Sequence, residues 1–191
     1  MKIAVTPRFE LSKNGETLYS FEADLLRYIK ESSYQVEMIL MSPENDEFSG
    51  DFDVLILPGG ATPGENSIRD EFELKIYKKA LDNNKRIIGI CRGAQFIGIQ
   101  SGNRLEKVKG HINSITELEN QFEIGLGILG KCFHNYGYYS LNNVWNVLAK
   151  STEDSSIEMF ISKNRKVIGI MSHPERYTEG IKFDELYDYL A

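Results

Sequence analysis

Residues 86–102 of the chain read RIIGICRGAQFIGIQSG. The apolar run Arg86–Ile90 stops at a G-x-C-x-G pattern centred on Cys91, and apolar residues at helical spacing follow it. A continuous apolar run that ends at a glycine-rich turn is typical of a strand buried on both faces of a parallel sheet. The segment therefore predicts a strand, a sharp turn and a helix, with Cys91 at the turn.

Strands and helices are predicted to alternate through the first hundred residues. Strands are expected over 2–6, 36–40 and 53–57, and helices are expected where Leu18, Phe21, Leu25 and Ile29, and then Phe72, Ile76 and Ala80, recur at helical spacing. In the second half, strands are expected over 144–149, 157–161 and 166–170, with a hairpin at 163–165 and a helix over 183–190. The pattern predicts an α/β fold, with a doubly wound, mostly parallel sheet and helices on both faces.

Composition narrows the class of protein. The 191 residues, of which 41% are hydrophobic and 26% charged, fit a single globular domain over 1–191. A net charge of −6 with no basic run argues against nucleic-acid binding, and no stretch reaches the roughly 18 apolar residues of a membrane span. Cys91 and Cys132 are too few for a disulfide framework, so a cytoplasmic setting is expected.

The turn makes Cys91 a candidate nucleophile. The small residues on both sides of it, Gly89 and Gly93, permit the sharp turn that lifts a nucleophile above the edge of a sheet. At the start of a helix, the dipole and the free backbone N–H groups favour a thiolate. The alternative is that Cys91 is a small buried apolar residue, which is a common role of free cysteine.

Two further turns follow predicted strands, at the edge of the sheet where ligands of α/β proteins bind. His173–Glu175, which reads HPE, follows one strand, where the histidine could act as a base and the glutamate could orient its ring. Pro58–Gly60, which reads PGG, follows another, where backbone N–H groups of this turn and of Arg92 could hold an oxyanion. The alternatives are a polar loop residue for His173 and an ordinary turn for the glycines.

The remaining histidines and the second cysteine have no predicted role in catalysis. Nothing at metal-ligand spacing accompanies His111 or His134, so no metal site is expected. Cys132 has no partner for a nucleophilic role in its local sequence, and it is therefore interpreted as structural.

Three of these stretches together resemble class I glutamine amidotransferases: LPGG at 57–60, GICRGAQFIGIQSG at 89–102 and HPE at 173–175. The resemblance spans essentially the whole chain and implies a flavodoxin-like fold. It also implies a triad of Cys91, His173 and Glu175, an oxyanion hole at Gly60 and Arg92, and neither a cofactor nor a metal. The family's reaction begins with thiolate attack on a γ-glutamyl amide carbonyl; a glutamyl thioester forms, the amine leaves, and water releases glutamate.

Two other segments resemble the γ-glutamyl hydrolase-type branch of the family, which acts on γ-glutamyl amines without a synthetase domain. They are KIAVTPRF at 2–9 and RDEFE at 69–73, and the alternative for the second is an acidic helix start with solvated charges. On this resemblance Gly59, Gln95 and Arg8 contact the substrate.

The chain departs from the family pattern at FHNYGYY, residues 133–139, where many relatives carry an N-S-x-H-x-Q-like stretch. Asn135, Tyr136 and Tyr138 are expected to contact the substrate here, with the tyrosines as a stacking wall for the leaving group. Packing in the core is the alternative for the tyrosines. A second departure is Ser172, which stands where an aromatic residue is common.

The altered stretch resembles hydrolases of this family that release a cytidine nucleotide amidate in capsule biosynthesis. Such a leaving group implies that Arg8, Arg69 or nearby lysines meet a diphosphate. Glu158 corresponds to a family position near the site, and a solvated acid on a strand face is the alternative for it.

Three functions remain open at this point. A free-standing hydrolase of a small γ-glutamyl amide is the leading one, and a glutaminase subunit that delivers ammonia to a separate synthetase is the second. The third is a non-catalytic or redox-sensing cysteine protein of similar fold. The HPE motif counts against the third, because that class does not require a histidine and a glutamate at this spacing.

Overall fold

The computed structural model of the protein describes residues 1–45, 51–120 and 129–190. The strands in these ranges are β1 (Lys2–Val5), β2 (Arg8–Leu11), β3 (Thr17–Ser20), β4 (Glu37–Leu40), β5 (Val54–Leu57), β6 (Arg86–Ile90), β7 (Glu106–Lys107), β8 (Ile112–Asn120), β9 (Leu129–Phe133), β10 (Tyr136–Gly137), β11 (Trp145–Ser151), β12 (Ile157–Ser162) and β13 (Val167–Ile170). The α-helices are α1 (Ala23–Lys30), α2 (Ser67–Asp82), α3 (Arg92–Gln100) and α4 (Phe183–Tyr189). None of the helices in the described ranges is long and apolar enough to cross a membrane.

A nine-stranded sheet forms the centre of the fold, in the order β4-β1-β5-β6-β13-β12-β11-β8-β9. The first five strands are parallel, and the remaining four continue the sheet in antiparallel pairs. Numbered in chain order, the parallel strands follow the arrangement 2-1-3-4-5 of flavodoxin-like folds. The predicted doubly wound α/β fold is therefore confirmed, with an antiparallel extension of the parallel sheet.

Helices cover both faces of the parallel strands because successive strand residues point into two different cores. In β5, Val54 and Ile56 pack with α1 and α4, whereas Leu55 and Leu57 pack with α2 and α3. Every residue of β5 is buried, as expected of a strand that is covered on both sides. Burial of one such side chain contributes about 1.5–3 kcal/mol. The turns at the carboxyl ends of these strands are thus anchored by well-packed strands.

The predicted elements agree with the structure except before α1. Strand β6 has the predicted bounds, and β12 and β13 form a hairpin joined by residues 163–166, which include the predicted turn at 163–165. The helix predicted from Leu18 is wrong at its start, because Leu18 lies in β3, which pairs with β2. The aromatic pair of Phe9 and Tyr19, with ring centroids 4.8 Å apart, stabilises this hairpin, and Gly15 (φ 81°) adopts the left-handed backbone of its turn.

Strand β9, which was not predicted, brings the antiparallel half of the sheet against the end of β13. The Lys131 carbonyl accepts a 2.7 Å hydrogen bond from the His173 amide. A Cβ on Gly130 would lie 2.8 Å from the Cβ of Ser172, so the two chains approach closely here. The small Ser172 side chain, found where the family commonly has an aromatic residue, leaves room for this contact.

Candidate active site

Cys91 lies at the sharp turn between β6 and α3. Its backbone has φ 50° and ψ −102°, a strained conformation that costs about 1–3 kcal/mol. Its amide donates a 2.7 Å hydrogen bond to the Ile170 carbonyl of β13, which holds the turn in place. The flanking glycines are required by space: a Cβ on Gly93 would lie 2.0 Å from the Leu57 carbonyl oxygen, and one on Gly89 would lie 2.6 Å from the Gly93 backbone.

His173 follows β13, which is the direct neighbour of the strand that leads to Cys91. Its Nδ1 donates a 2.6 Å hydrogen bond to Glu175 Oε1, and both side chains are at most 2% exposed. Burial lowers the pKa of His173, but interactions with Cys91 and Glu175 outweigh it and raise the pKa to about 9. The structure thus brings together the three residues predicted as a triad, and it favours the charged imidazole beside the thiol.

The Pro58–Gly60 turn after β5 borders the same residues. A Cβ on Gly59 would lie 2.7 Å from His173 Cε1, so glycine is the residue that fits against the imidazole. The Arg69 guanidinium donates to both carbonyls that precede Gly60, at 3.0 and 3.2 Å. Because the peptide bond is trans, the Gly60 N–H points away from Arg69. Arg69 therefore orients the turn whose N–H was predicted to hold an oxyanion.

Arg69 belongs to a buried network of ion pairs that joins α2 to α3. Its Nε donates to Glu73 Oε1 at 2.9 Å, and Arg92 pairs with both Glu73 and Asp70. The alternative of solvated charges at the start of α2 is wrong for Arg69 and Glu73, which are at most 3% exposed. The expectation that Arg69 meets a substrate diphosphate is wrong for the same reason. Since the Arg92 side chain also points into this network, its backbone N–H in the first turn of α3 is the group left for an oxyanion.

The predicted substrate contacts around β10 divide between the surface and the core. Gln95 Nε2 donates a 2.8 Å hydrogen bond to the Tyr136 carbonyl, which ties α3 to β10. Asn135 is exposed and Tyr136 is 40% exposed, so both side chains are accessible to a ligand. The prediction is wrong for Tyr138, which is fully buried, donates to the Gln95 carbonyl at 2.5 Å and packs edge-on against Phe160. The core alternative holds for Tyr138.

Two arginines lie at the mouth of the site and share one carboxylate. Arg8 and Arg176 both pair with Glu22, each at 2.5 Å. Burial raises the pKa of Glu22, but the two arginines outweigh it and lower the pKa. Arg8 Nη2 would lie 3.4 Å from a Cβ on Gly59, so Arg8 lies beside the PGG turn. Arg176 was not predicted, although its position directly after HPE was the available signal.

Phe133 is a second site residue to which no role was assigned from the sequence. Its ring centroid lies 5.6 Å from that of His173 in an edge-to-face arrangement. The Arg176 guanidinium lies 4.9 Å from the centroid of the same ring, and Lys131 Nζ lies 5.6 Å from it. The alternation of β9 provided the signal, because it places Lys131 and Phe133 on the same face. An aromatic ring that contacts two cations therefore borders the candidate base.

Cys132 and the two other histidines form a separate cluster. Cys132 is fully buried, and burial, together with Glu158, raises the pKa of its thiol. No metal-ligand spacing along the sequence predicted a site at His111 or His134, but the fold places Cys132 and Glu158 beside them, with all ligand atoms within 4.8 Å of one another. The alternative of a solvated acid is also wrong for Glu158, which is fully buried.

The sequence is similar to several known proteins. The sequence model of the family described as Glutamine amidotransferase class-I matches residues 16–182. Phosphoribosylformylglycinamidine synthase subunit PurQ of Thermotoga maritima is 29% identical in an alignment of 158 residues that covers 70% of this chain and 74% of that protein. Gamma-glutamyl-CDP-amidate hydrolase of Campylobacter jejuni is 31% identical in an alignment of 110 residues that covers 56% of this chain and 52% of that protein. The chain thus aligns with about half the length of the second relative.

The solved structures add a likeness of fold. A chain in the structure of PurLQS from Thermotoga maritima superposes with a TM-score of 0.72 at 20% identity, covering 99% of this chain and 96% of that chain. At this level of identity the likeness shows the fold alone. The family match, by contrast, extends over most of the sequence and includes the Cys91 elbow, the PGG turn and the HPE motif. The chain belongs to the class I glutamine amidotransferase family.

Proposed function

We propose that the protein hydrolyses a γ-glutamyl amide bond through a thioester on Cys91. The observation that carries this proposal is the arrangement of Cys91, His173 and Glu175: an imidazole held by a buried carboxylate interacts with a thiol at the start of a helix. The family supports the proposal, since glutamine amidotransferase-type relatives are enzymes or enzyme subunits.

In the proposed reaction, the Cys91 thiolate attacks the γ-carbonyl carbon, and backbone N–H groups of Gly60 and Arg92 stabilise the oxyanion. His173 gives its proton to the amine nitrogen, the C–N bond breaks, and the glutamyl thioester remains. His173 then takes a proton from a water molecule, which attacks the thioester and releases glutamate and the thiolate. Glu175 keeps Nδ1 protonated, so that Nε2 faces the reacting atoms.

The leaving group that we propose is a nucleotide amidate, as in γ-glutamyl-CDP-amidate. Arg8, Arg176 and Lys131 concentrate positive charge at the mouth of the site in a chain whose net charge is −6. Phe133 offers an aromatic ring beside two of these cations, and the exposed Tyr136 offers a second aromatic face for a nucleotide base. The 31% identity to the Campylobacter jejuni hydrolase supports this leaving group.

A glutaminase subunit is the second candidate function. The observation that favours it is the match to PurQ, which covers 70% of this chain and bears the name of a synthase subunit. In this case the amine released at Cys91 is ammonia, and a separate synthetase would receive it. Glutamine turnover by the isolated chain would then be slow and would rise when the synthetase is added.

A glutamate-release screen with the purified protein alone tests both candidates. The substrates are glutamine, simple γ-glutamyl amines and γ-glutamyl-CDP-amidate. Release from the nucleotide amidate supports the proposal, whereas release from glutamine alone supports the subunit. Cys91→Ala should abolish glutamate release from every substrate. Full activity of this variant would show that Cys91 is not the nucleophile.

The leaving group is tested by a pair of arginine variants. Arg176→Ala should raise KM for the nucleotide amidate and leave KM for simple γ-glutamyl amines unchanged, because only the nucleotide carries a diphosphate. Arg165→Ala is the matched control, because Arg165 donates to the Tyr189 carbonyl in another part of the surface. Equal KM values for the nucleotide amidate in the two variants would show that Arg176 does not contact the diphosphate.

A further inference from the structure

Four buried side chains that carry metal-binding atoms meet in the antiparallel half of the sheet. His111 precedes β8, Cys132 lies on β9, His134 follows β9 and Glu158 lies on β12. Their ligand atoms all lie within 4.8 Å of one another, and none of the four residues is more than 4% exposed. The proposed hydrolysis uses none of them.

The separations between the donor atoms suit a tetrahedral metal site. Zinc–ligand bonds of about 2.0–2.3 Å at tetrahedral angles place neighbouring donor atoms roughly 3.3–3.8 Å apart. Here His111 Nδ1 lies 3.3 Å from Glu158 Oε1, and both His134 Nε2 and Cys132 Sγ lie 3.5 Å from Glu158 Oε2. The cluster therefore has the spacing of a metal site among its own side chains.

Hydrogen bonding within the cluster is incomplete. Among the residues that the structure describes, neither ring nitrogen of His134 has a hydrogen-bond partner, and neither does His111 Nδ1, although both side chains are at most 1% exposed. Buried polar atoms are nearly always paired, so each unpaired atom calls for an explanation. A divalent cation at the centre would bind His111 Nδ1 and one ring nitrogen of His134, and it would neutralise the buried Glu158 carboxylate.

His111 is oriented as ligating histidines are. Its Nε2 lies 3.3 Å from Asp154 Oδ2 and 3.4 Å from Ser156 Oγ, while its Nδ1 faces Glu158. Metal-binding histidines usually donate their second ring N–H to a carboxylate or another acceptor, which fixes the tautomer. Asp154 is itself positioned by a 3.0 Å hydrogen bond from the Ser156 amide.

We propose that His111, Cys132, His134 and Glu158 bind one zinc ion. Two imidazoles, a thiolate and a carboxylate suit zinc, whereas a thiolate is a poor ligand for magnesium or calcium. Binding replaces the thiol proton of Cys132, which passes to solvent, and no electron is transferred. Because four buried side chains occupy the four positions, no position is open to substrate, and the ion is structural.

The zinc ion would join β8, β9 and β12 behind the candidate active site. Strand β9 is the element against which His173 is held, through the 2.7 Å hydrogen bond from its amide to the Lys131 carbonyl. The ion therefore stabilises the strand that supports the candidate base and takes no part in the bond cleavage.

The first test uses the Cys91→Ser variant of the full chain, in which Cys132 is the only thiol that remains. After loading with zinc and dialysis, elemental analysis should find about one zinc per chain. Replacement of zinc by cobalt should give the absorption of a cobalt–thiolate bond, which can arise only from Cys132. A metal content near zero, or a cobalt spectrum without the thiolate band, overturns the proposal.

A second test uses the neighbouring acids Asp154 and Glu153. Asp154→Asn should lower the zinc affinity roughly 10–100-fold, measured by competition with a chromophoric chelator, because it weakens the support of His111. Glu153→Gln, at an exposed neighbouring position, should leave the affinity unchanged. Equal affinities in the two variants would contradict the proposed role of Asp154 and His111. Cys132→Ser should lose the zinc; if it does not fold, the two preceding measurements decide.

Discussion

Replacement of Glu175 by glutamine would remove the charge of the candidate triad and keep its shape. Glu175 Oε1 accepts a 2.6 Å hydrogen bond from His173 Nδ1, and its side chain is 1% exposed, so water screens the pair little. A hydrogen bond to a charged group contributes about 1.5–3 kcal/mol, and one pH unit corresponds to about 1.4 kcal/mol. The pKa of His173, about 9 with Glu175 in place, should therefore fall by roughly one to two pH units.

The lower pKa of His173 should shift the pH dependence of the activity in a definite direction. His173 must carry a proton to give to the leaving amine, and it loses that proton as the pH rises through its pKa. The alkaline limb of kcat/KM for glutamate release is thus expected near pH 9 in the unmodified protein, and roughly one to two pH units lower in Glu175→Gln. The value of kcat should also fall by roughly 10⁴-fold, as expected when a triad histidine loses its carboxylate.

The assay is the rate of glutamate release from the best substrate, measured from about pH 6 to about pH 10. Glu179→Gln is the matched control, because Glu179 lies in the same segment, is exposed and accepts a hydrogen bond from the Tyr177 hydroxyl. This control should keep the profile of the unmodified protein. An alkaline limb at the same pH in Glu175→Gln, with kcat unchanged, would refute the pairing of Glu175 with His173.

Three stability predictions follow from the buried contacts. Gly93→Ala should lower the free energy of unfolding, measured by urea denaturation, by about 3 kcal/mol or more, because the new Cβ would lie 2.0 Å from a backbone oxygen of β5. A fully stable variant would contradict this steric argument. Glu73→Gln should lower the free energy of unfolding by about 3–5 kcal/mol in the same assay, because it leaves two buried arginines without their shared carboxylate. A loss below about 1 kcal/mol would show that the ion-pair network contributes little to stability. Tyr138→Phe should lower the free energy of unfolding by about 1 kcal/mol and Tyr138→Ala by about 3–5 kcal/mol, because the ring is buried and its hydroxyl donates a hydrogen bond. The phenylalanine variant should keep the KM of the unmodified protein. A raised KM would show that the Tyr138 hydroxyl contacts the substrate.

The parallel half of the sheet could be predicted because its strands are buried on both faces. Such strands appear in the sequence as continuous apolar runs, and β5 and β6 were located from these runs almost to the residue. The antiparallel half has weaker signals. Strand β8 reads INSITELEN, whose apolar residues stand three apart instead of alternating with polar ones, and Ile112 and Ile115 face solvent. Strand β9 reads LGKCF. Both strands were missed because their burial depends on partners distant along the chain.

The residues of the candidate site also differ in how well the sequence alone predicts them. Cys91, His173 and Glu175 could be identified because each lies in a local motif at the end of a buried strand, and parallel strands bring their carboxyl ends to one edge of the sheet. The signals for Phe133 and Arg176 were weaker, since the position of both beside His173 depends on the approach of β9 to β13. Local sequence shows which groups can react, whereas only the fold shows which groups surround them.

The sequence by itself determined the fold class, the elbow at Cys91 and the HPE motif, because short-range patterns of burial and backbone geometry encode all three. The tertiary structure decided that Arg69 is a buried support of the PGG turn and that Tyr138 belongs to the core. It also brought His111 and Glu158, which are far apart along the chain, to within 3.3 Å of each other. Residue type alone cannot show such outcomes, because burial, charge pairing and metal binding depend on the neighbours that long-range strand pairing supplies.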